Sequence, residues 1–383
     1  MKPLSLFFNQ FFKSEKAGGI IIILSTMFSL WISNSSFGEN YLNFWQVQFA
    51  AHSLQHWIND GLMAIFFLLI GLELEREIYI GELSDFKSAS FPLFAALGGM
   101  IVPACIYLFI NRGTAYTNGF GIPMATDIAF ALAVLSLLGN RIPNSLKVLL
   151  TALAVIDDLG AILIIAFFYS SSIFWINLAG VAGIWIFLFI LNRKKVNHFL
   201  PYIIGGISMW YLMLNSGVHA TLAGVITAFV IPFDKKNREN ISYKIQEKLH
   251  IPVAYFILPL FALANTAIVF HFDNIETTYC MGIIAGLLLG KPLGILIFTF
   301  TASKLNWTQL PQDANWLEIT CISLMASIGF TMSIFITLIA FDSPALINAS
   351  KLAILLASFG AGLISYFCSM VVFKSSKPSS RKN

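Results

Sequence analysis

The sequence predicts an all-α integral membrane protein of about twelve transmembrane helices, and three observations carry that prediction. Apolar residues make up 57% of the 383 and charged residues only 11%, against roughly 45–50% and 25% in soluble domains. A soluble chain so poor in charge would expose large apolar patches and aggregate. Apolar stretches follow one another along the whole length, near 17–33, 59–72, 93–111, 120–138, 148–169, 174–191, 200–214, 217–232, 252–271, 279–302, 317–340 and 350–373. A crossing takes about 20 residues, and several of these stretches are short or interrupted by Gly and Pro. With the N-terminus inside and twelve crossings, the cytoplasmic segments collect 20 of the 23 Lys and Arg. Arg112 and Lys351 fall on the opposite side and Lys291 inside a span. So strong a positive-inside bias sets the expected orientation, with both termini cytoplasmic.

The whole chain, 1–383, reads as one membrane domain. Residues 1–16, with Lys2, Lys13 and Lys16, form a cytoplasmic N-terminus. They resemble the basic start of a signal peptide, but no small-residue cleavage site follows, so the first span reads as uncleaved. Residues 34–57 are an external loop. Within it Trp45-Gln46-Val47-Gln48-Phe49 alternates apolar and polar, which is a strand pattern. One reading is a short β-hairpin able to pair with a second copy, giving a homodimer; the other is an amphipathic loop lying on the headgroups. The tail, 374–383, is polar and basic and is expected to be disordered.

Other groups exclude more than they suggest. The net charge of +4 gives no hint of nucleic acid, and the lipid bilayer is the partner that the composition requires. Cys105, Cys280, Cys321 and Cys368 show no CxxC spacing and read as small apolar residues. His52 and His56 stand at i and i+4 without the Glu of a zinc-protease helix. No cofactor is implied.

What remains is charge at bilayer depth. Asp157 and Asp158 are adjacent in an apolar run from Leu149 to Phe168, where each charge costs at least about 2.5–3.5 kcal/mol on insertion scales. Asp60, Asp127 and Lys291 are also intramembrane. Asp127 follows Gly119, Gly121 and Pro123, which weaken the helix before it. Lys291 lies between Gly290 and Pro292, and a proline removes a backbone donor and kinks a helix. Ser327 to Ser333 is again rich in Gly and hydroxyls inside an apolar segment. Unwound backbone at this depth is tolerated only where protein or a cavity surrounds it. Two interrupted spans, one in each half, point to an inverted-repeat transporter.

The motifs themselves resemble a family. Ile58-Asn59-Asp60-Gly61-Leu62-Met63, Ile70-Gly71-Leu72-Glu73, Ala125-Thr126-Asp127-Ile128-Ala129-Phe130-Ala131 and Ala154-Val155-Ile156-Asp157-Asp158-Leu159-Gly160 are similar to motifs of the NhaA family of bacterial sodium/proton antiporters. So are Ser216-Gly217-Val218-His219-Ala220-Thr221, Leu258-Pro259-Leu260-Phe261-Ala262 and Gly290-Lys291-Pro292-Leu293-Gly294. The resemblance runs in order from about residue 5 to 373. It implies twelve helices with spans 3–5 and 10–12 as inverted repeats, spans 4 and 11 being interrupted and crossing. It further implies a transporter, not an enzyme, that exports Na⁺ (and Li⁺) in exchange for H⁺, electrogenically and under pH control. Asp158 matches the central cation- and proton-binding carboxylate, Asp157 its neighbour, and Thr126 a residue of the cation site. Asp127 and Lys291 match the charges that compensate helix ends at the crossing. Asp60 and Glu73 match acids of the cytoplasmic funnel and its pH response, to which His219 is also assigned. Glu75 departs from the pattern, standing where the family usually has a basic residue.

The chemistry can be argued from the residues alone. Successive residues on a helix point about 100° apart, so Asp157 and Asp158 cannot both fully face one small ion. One can hold it while the other meets a partner such as Lys291. A carboxyl group buried beside a like charge holds its proton more tightly than one in water. Competition of Na⁺ and H⁺ for such a group, with exposure alternating between the two faces, gives antiport. Each residue also has a plainer reading. The Asp157–Lys291 pair can be structural, Asp127 can serve only helix termini, His219 can be a packing histidine, and Glu73 can belong to a solvated helix end. An intramembrane aspartyl protease needs aspartates on two facing helices and a GxGD-type signature, neither of which occurs. A symporter of organic acids needs a roomier, polar cavity, and a cation channel leaves its site open to both faces at once.

Overall fold

The structure, a computed structural model, describes residues 2–170, 173–235, 240–270, 277–311 and 314–375. The tail beyond Ser375 lies outside the described residues, as do Lys236 and Arg238. Helix dominates. Among the described residues, eight helices are long and apolar enough to cross a membrane: Leu54–Ile80, Ser88–Ile110, Thr117–Leu137, Asn144–Phe168, Trp175–Arg193, Ile241–Asn265, Thr278–Lys304 and Pro344–Phe373. Two bent pairs raise the count to ten, Ala17–Ser33 with Gly38–Gln46 (115°) and Trp316–Ala326 with Phe330–Ala340 (47°).

The other two expected spans are helical but short. Phe199–Leu214 has 16 residues and Leu222–Ala228 only 7. Between them Gly217 adopts φ of +82°, a left-handed conformation that turns the chain where a helix would continue. Lys351, expected toward the outer side, is buried near the start of the helix Pro344–Ser375. The external segment is mostly helix, with Trp45 and Gln46 closing Gly38–Gln46. Its strands are two residues each, pairing Gln48 with Ser53 and Phe49 with His52 around Ala50 and Ala51, both at positive φ. A turn with two positive φ values matches the twist of a two-residue hairpin.

Two compact units emerge. One comprises Leu24–Ser84 and Ile162–Val269. In it the helix Met63–Ile80 packs on Leu222–Ala228 so closely that a Cβ on Gly224 would run into the Ala64 carbonyl. Asn265 donates to Asn59 Oδ1 at 2.7 Å, and Trp210 Nε1 donates to the Asp60 carbonyl at 2.8 Å.

The other unit comprises Met1–Ile23, Asp85–Ala161 and Phe270–Asn383. It contains two helical triples of the same plan. Phe86–Ile110, an interrupted span from Thr117 to Leu137, and Asn144–Phe168 make the first. Thr278–Lys304, the interrupted pair Trp316–Ala326 and Phe330–Ala340, and Pro344–Ser375 make the second. The triples meet through small residues: a Cβ on Gly98 would strike the Gly294 carbonyl, and one on Gly294 the Gly98 carbonyl. Such close approach is what favours glycine where membrane helices associate by packing contacts. Phe91, Leu132, Leu149, Leu153, Ile322 and Met325 belong to one buried apolar cluster of this unit.

Candidate functional site

The site is built where the two interrupted spans meet. A 3₁₀ segment, Thr117–Met124, gives way to extended backbone at Ala125 and Asp127 before the helix Ile128–Leu137 begins. The second break runs through Ser327, Ile328 and Gly329. Each break leaves donors and acceptors that a continuous helix would have satisfied, and the two spans satisfy one another. The Asp127 N–H donates to the Ile328 carbonyl (2.7 Å), the Thr126 hydroxyl lies 2.8 Å from the Ala326 carbonyl, and the Ser333 hydroxyl donates to the Ile122 carbonyl (2.7 Å).

Asp127 closes two helices at once. Its Oδ1 accepts the Phe130 N–H (2.9 Å), capping its own helix. Its Oδ2 accepts the Thr331 N–H (3.0 Å) and the Thr331 hydroxyl, capping the helix Phe330–Ala340. Gly329, at the N-cap of that helix, has no side chain to do so. An N-terminus carries about half a positive charge, so a single carboxylate suits two of them.

Lys291 does the converse. A π-helical turn, Gly286–Gly290, precedes it, with the Lys291 N–H bonded to the Gly286 carbonyl five residues back. Such turns are rare and often mark functional positions. The Lys291 ammonium is fully buried, lies 2.9 Å from Asp157 Oδ2 and donates to the Met124 carbonyl at the end of the 3₁₀ segment.

Asp157 and Asp158 sit in the middle of Asn144–Phe168, 1% and 3% exposed. Asp157 Oδ2 also takes the Thr126 hydroxyl at 2.6 Å, while its Oδ1 is buried with no hydrogen-bond partner among the described residues. The Thr126 hydroxyl has one proton and two acceptors within reach, Asp157 and Ala326. Asp158 acts electrostatically on Lys291 as well. The structure therefore gathers Asp157, Asp158, Thr126, Asp127 and Lys291 in one unit, two carboxylates and a hydroxyl able to bind a small cation.

Asp60, Glu73 and His219 belong to the other unit. Asp60 lies in a π-helical turn, Trp57–Leu62, with His56 Nδ1 3.1 Å from its carboxylate and His219 near enough to act on it electrostatically. His219 Nε2 donates to the Tyr169 carbonyl at 3.0 Å. Glu73 lies beside Gln246 and feels the charge of Arg76. Glu75 is 6% exposed and bonds Ser242, so this stretch is not simply a solvated helix end.

Sequence reasoning passed over three groups here: Thr331 as a partner of Asp127, and the carbonyls of Met124 and Ala326. Thr331 lay in a segment noticed for its hydroxyls. The carbonyls have no sequence signature at all.

Comparison with known proteins is direct. The family model of Na⁺/H⁺ antiporter 1 matches residues 9–368. A Na⁺/H⁺ antiporter NhaA of Cytophaga hutchinsonii is 58% identical over 360 residues, covering 93% of each chain. That of Flavobacterium psychrophilum is 57% identical over 370 residues (96% of each), and that of Dechloromonas aromatica 52% over 366 (94% of each).

Proposed function

The chain belongs to the Na⁺/H⁺ antiporter 1 family, and from that premise we propose that it exports Na⁺, and Li⁺ with it, in exchange for protons across the bacterial inner membrane. Its termini are cytoplasmic on this reading, and the exchange serves sodium and pH homeostasis. One observation carries the site assignment: two adjacent carboxylates are buried beside the crossing of two broken helices, and one of them, Asp157, is already engaged by Lys291 and Thr126.

Asp158 is the primary seat of cation or proton, and Asp157 completes it. When Na⁺ enters between the carboxylates, any proton held there must leave, because the small site cannot neutralise both. When Na⁺ departs to the other side, a proton takes its place. Thr126 contributes a hydroxyl oxygen that can ligate the cation by turning its proton to the Ala326 carbonyl, 2.8 Å away. Asp127 and Lys291 set the local field by neutralising helix ends. Release of Lys291 from Asp157 as the cation binds gives a second ionisable group, hence electrogenic exchange of more than one proton per Na⁺. Asp60, Glu73 and His219 form the access route and tune the pH response. The external hairpin at Gln48–Ser53 supplies a contact between two copies in a homodimer.

The test is sodium-induced collapse of a pre-formed pH gradient in everted membrane vesicles, across neutral to alkaline pH. Wild type should collapse the gradient and Asp158→Asn should not. Collapse in both, or in neither, refutes the assignment.

A further inference from the structure

We infer that Ser358 is a positioning residue for the cation-binding carboxylates, acting from the last helix through the second half of the interrupted span. The inference rests on the antiport reading above.

The half-helix Phe330–Ala340 starts without a cap of its own, since Gly329 offers no side chain. Its first N–H groups lie buried where no water can serve them. Two other helices meet the need. Asp127 takes the Thr331 N–H at 3.0 Å, and the Ser358 hydroxyl takes the Phe330 N–H at 3.1 Å. Ser358 is 1% exposed and belongs to the helix Pro344–Ser375.

These bonds form a chain that ends at the site. Ser358 fixes Phe330, and the next residue, Thr331, fixes the Asp127 carboxylate through both its N–H and its hydroxyl. Asp127 in turn fixes Thr126 by the peptide bond, and the Thr126 hydroxyl meets Asp157 Oδ2 at 2.6 Å. Without the Ser358 hydroxyl, the Phe330 N–H must seek another acceptor. The Asp127 carboxylate, which already accepts from Phe330's neighbour Thr331, is a strong acceptor at the same helix start. Movement of the half-helix toward Asp127 displaces Thr126 and loosens the cation site, while the exchange groups themselves remain. Loss of Ser358 should therefore weaken cation binding more than turnover.

Everted vesicles carrying wild type, Ser358→Ala, Ser358→Thr and Ser358→Cys are compared for sodium concentration dependence and pH profile of gradient collapse, at matched protein levels. Ser358→Ala should raise the half-saturating Na⁺ concentration about fivefold, with the rate at saturating Na⁺ within twofold of wild type. Its pH profile should move relative to wild type. Ser358→Thr, which keeps the oxygen, should restore both, and Ser358→Cys, a weak acceptor, should fall between. Wild-type sodium dependence and pH profile in Ser358→Ala overturn the inference, and so does a fall in saturating rate alone. If Ser358→Ala does not fold, graded loss of affinity from Thr to Cys decides in favour and its absence against. Wild type reports separately on the antiport reading, since it must collapse the gradient whatever Ser358 does.

Discussion

Replacing Lys291 by Met removes one member of an ion pair that is buried on both sides, with Nζ 2.9 Å from Asp157 Oδ2. Breaking such a pair costs about 3–5 kcal/mol, because the remaining charge is buried without compensation. The Met124 carbonyl also loses its lysine donor, which adds about 1 kcal/mol. A loss of about 4–6 kcal/mol is thus expected for Lys291→Met. Removing the second charge as well should recover most of it, because a neutral pair of similar volume is commonly no worse than the ion pair. Asp157→Asn keeps an oxygen for the Thr126 hydroxyl, so the double variant should lie within about 1–2 kcal/mol of wild type. Purified protein unfolded by increasing sodium dodecyl sulfate in mixed micelles, followed by loss of helicity, gives the four stabilities of the cycle. The reasoning fails if the double variant is as unstable as the sum of the single ones, which would mean that the two charges do not compensate each other in the folded protein. A Lys291→Met loss under about 1 kcal/mol would equally show that the pair is solvated, contrary to its burial.

Thr126→Val keeps the shape and deletes the hydroxyl that reaches Asp157 and Ala326; one lost hydrogen bond of about 1 kcal/mol should raise the half-saturating Na⁺ concentration roughly fivefold, measured by gradient collapse, with Thr126→Ser within twofold of wild type. Gly98→Val should prevent assembly, since even a Cβ there meets the Gly294 backbone, whereas Gly61→Ala should be tolerated, its Cβ finding only Trp57 and Trp210 at 3.8 and 3.9 Å. Size-exclusion profiles of detergent extracts distinguish the two.

The helices and the charged members of the site were legible because both depend on rules that act locally. Each apolar stretch obeys the cost of exposing polar backbone to lipid, and each intramembrane charge violates it, so Asp127, Asp157, Asp158 and Lys291 announce themselves one residue at a time. The breaks at Gly119–Pro123 and Ser327–Gly329 were visible for the same reason: helix-weakening residues where a helix is obligatory. What was not legible depends on contacts between distant segments. That Asp127 caps a second helix requires Thr331 to lie 204 positions away in sequence yet within hydrogen-bond reach. Ser358 resembles Ser350, Ser365 and Ser369 of the same helix, and only the fold turns it toward Phe330. The shortness of the helices in the stretches 200–214 and 217–232, 16 and 7 residues, was not legible, because the turn at Gly217 is a matter of backbone geometry that hydropathy does not measure.

The arrangement of helix ends explains why the site must hold something. On one side of the crossing, two N-termini of about half a positive charge each face the single negative charge of Asp127, and the balance closes. On the other side, the one positive charge of Lys291 faces Asp157 and the carbonyl ends at Met124 and Ala326. Lysine and Asp157 cancel, the carbonyl ends remain negative, and Asp158 adds a full charge if ionised. A standing negative balance in a buried place is expensive in any medium of low dielectric constant, so the resting protein cannot leave it unfilled. On the proposed reading sodium fills it in one part of the cycle and protons in the other, and neither leaves until the other is available. Coupling on this view is a property of the charge balance at the crossing, which makes Asp127 and Lys291 as necessary to exchange as the carboxylates that hold the ion.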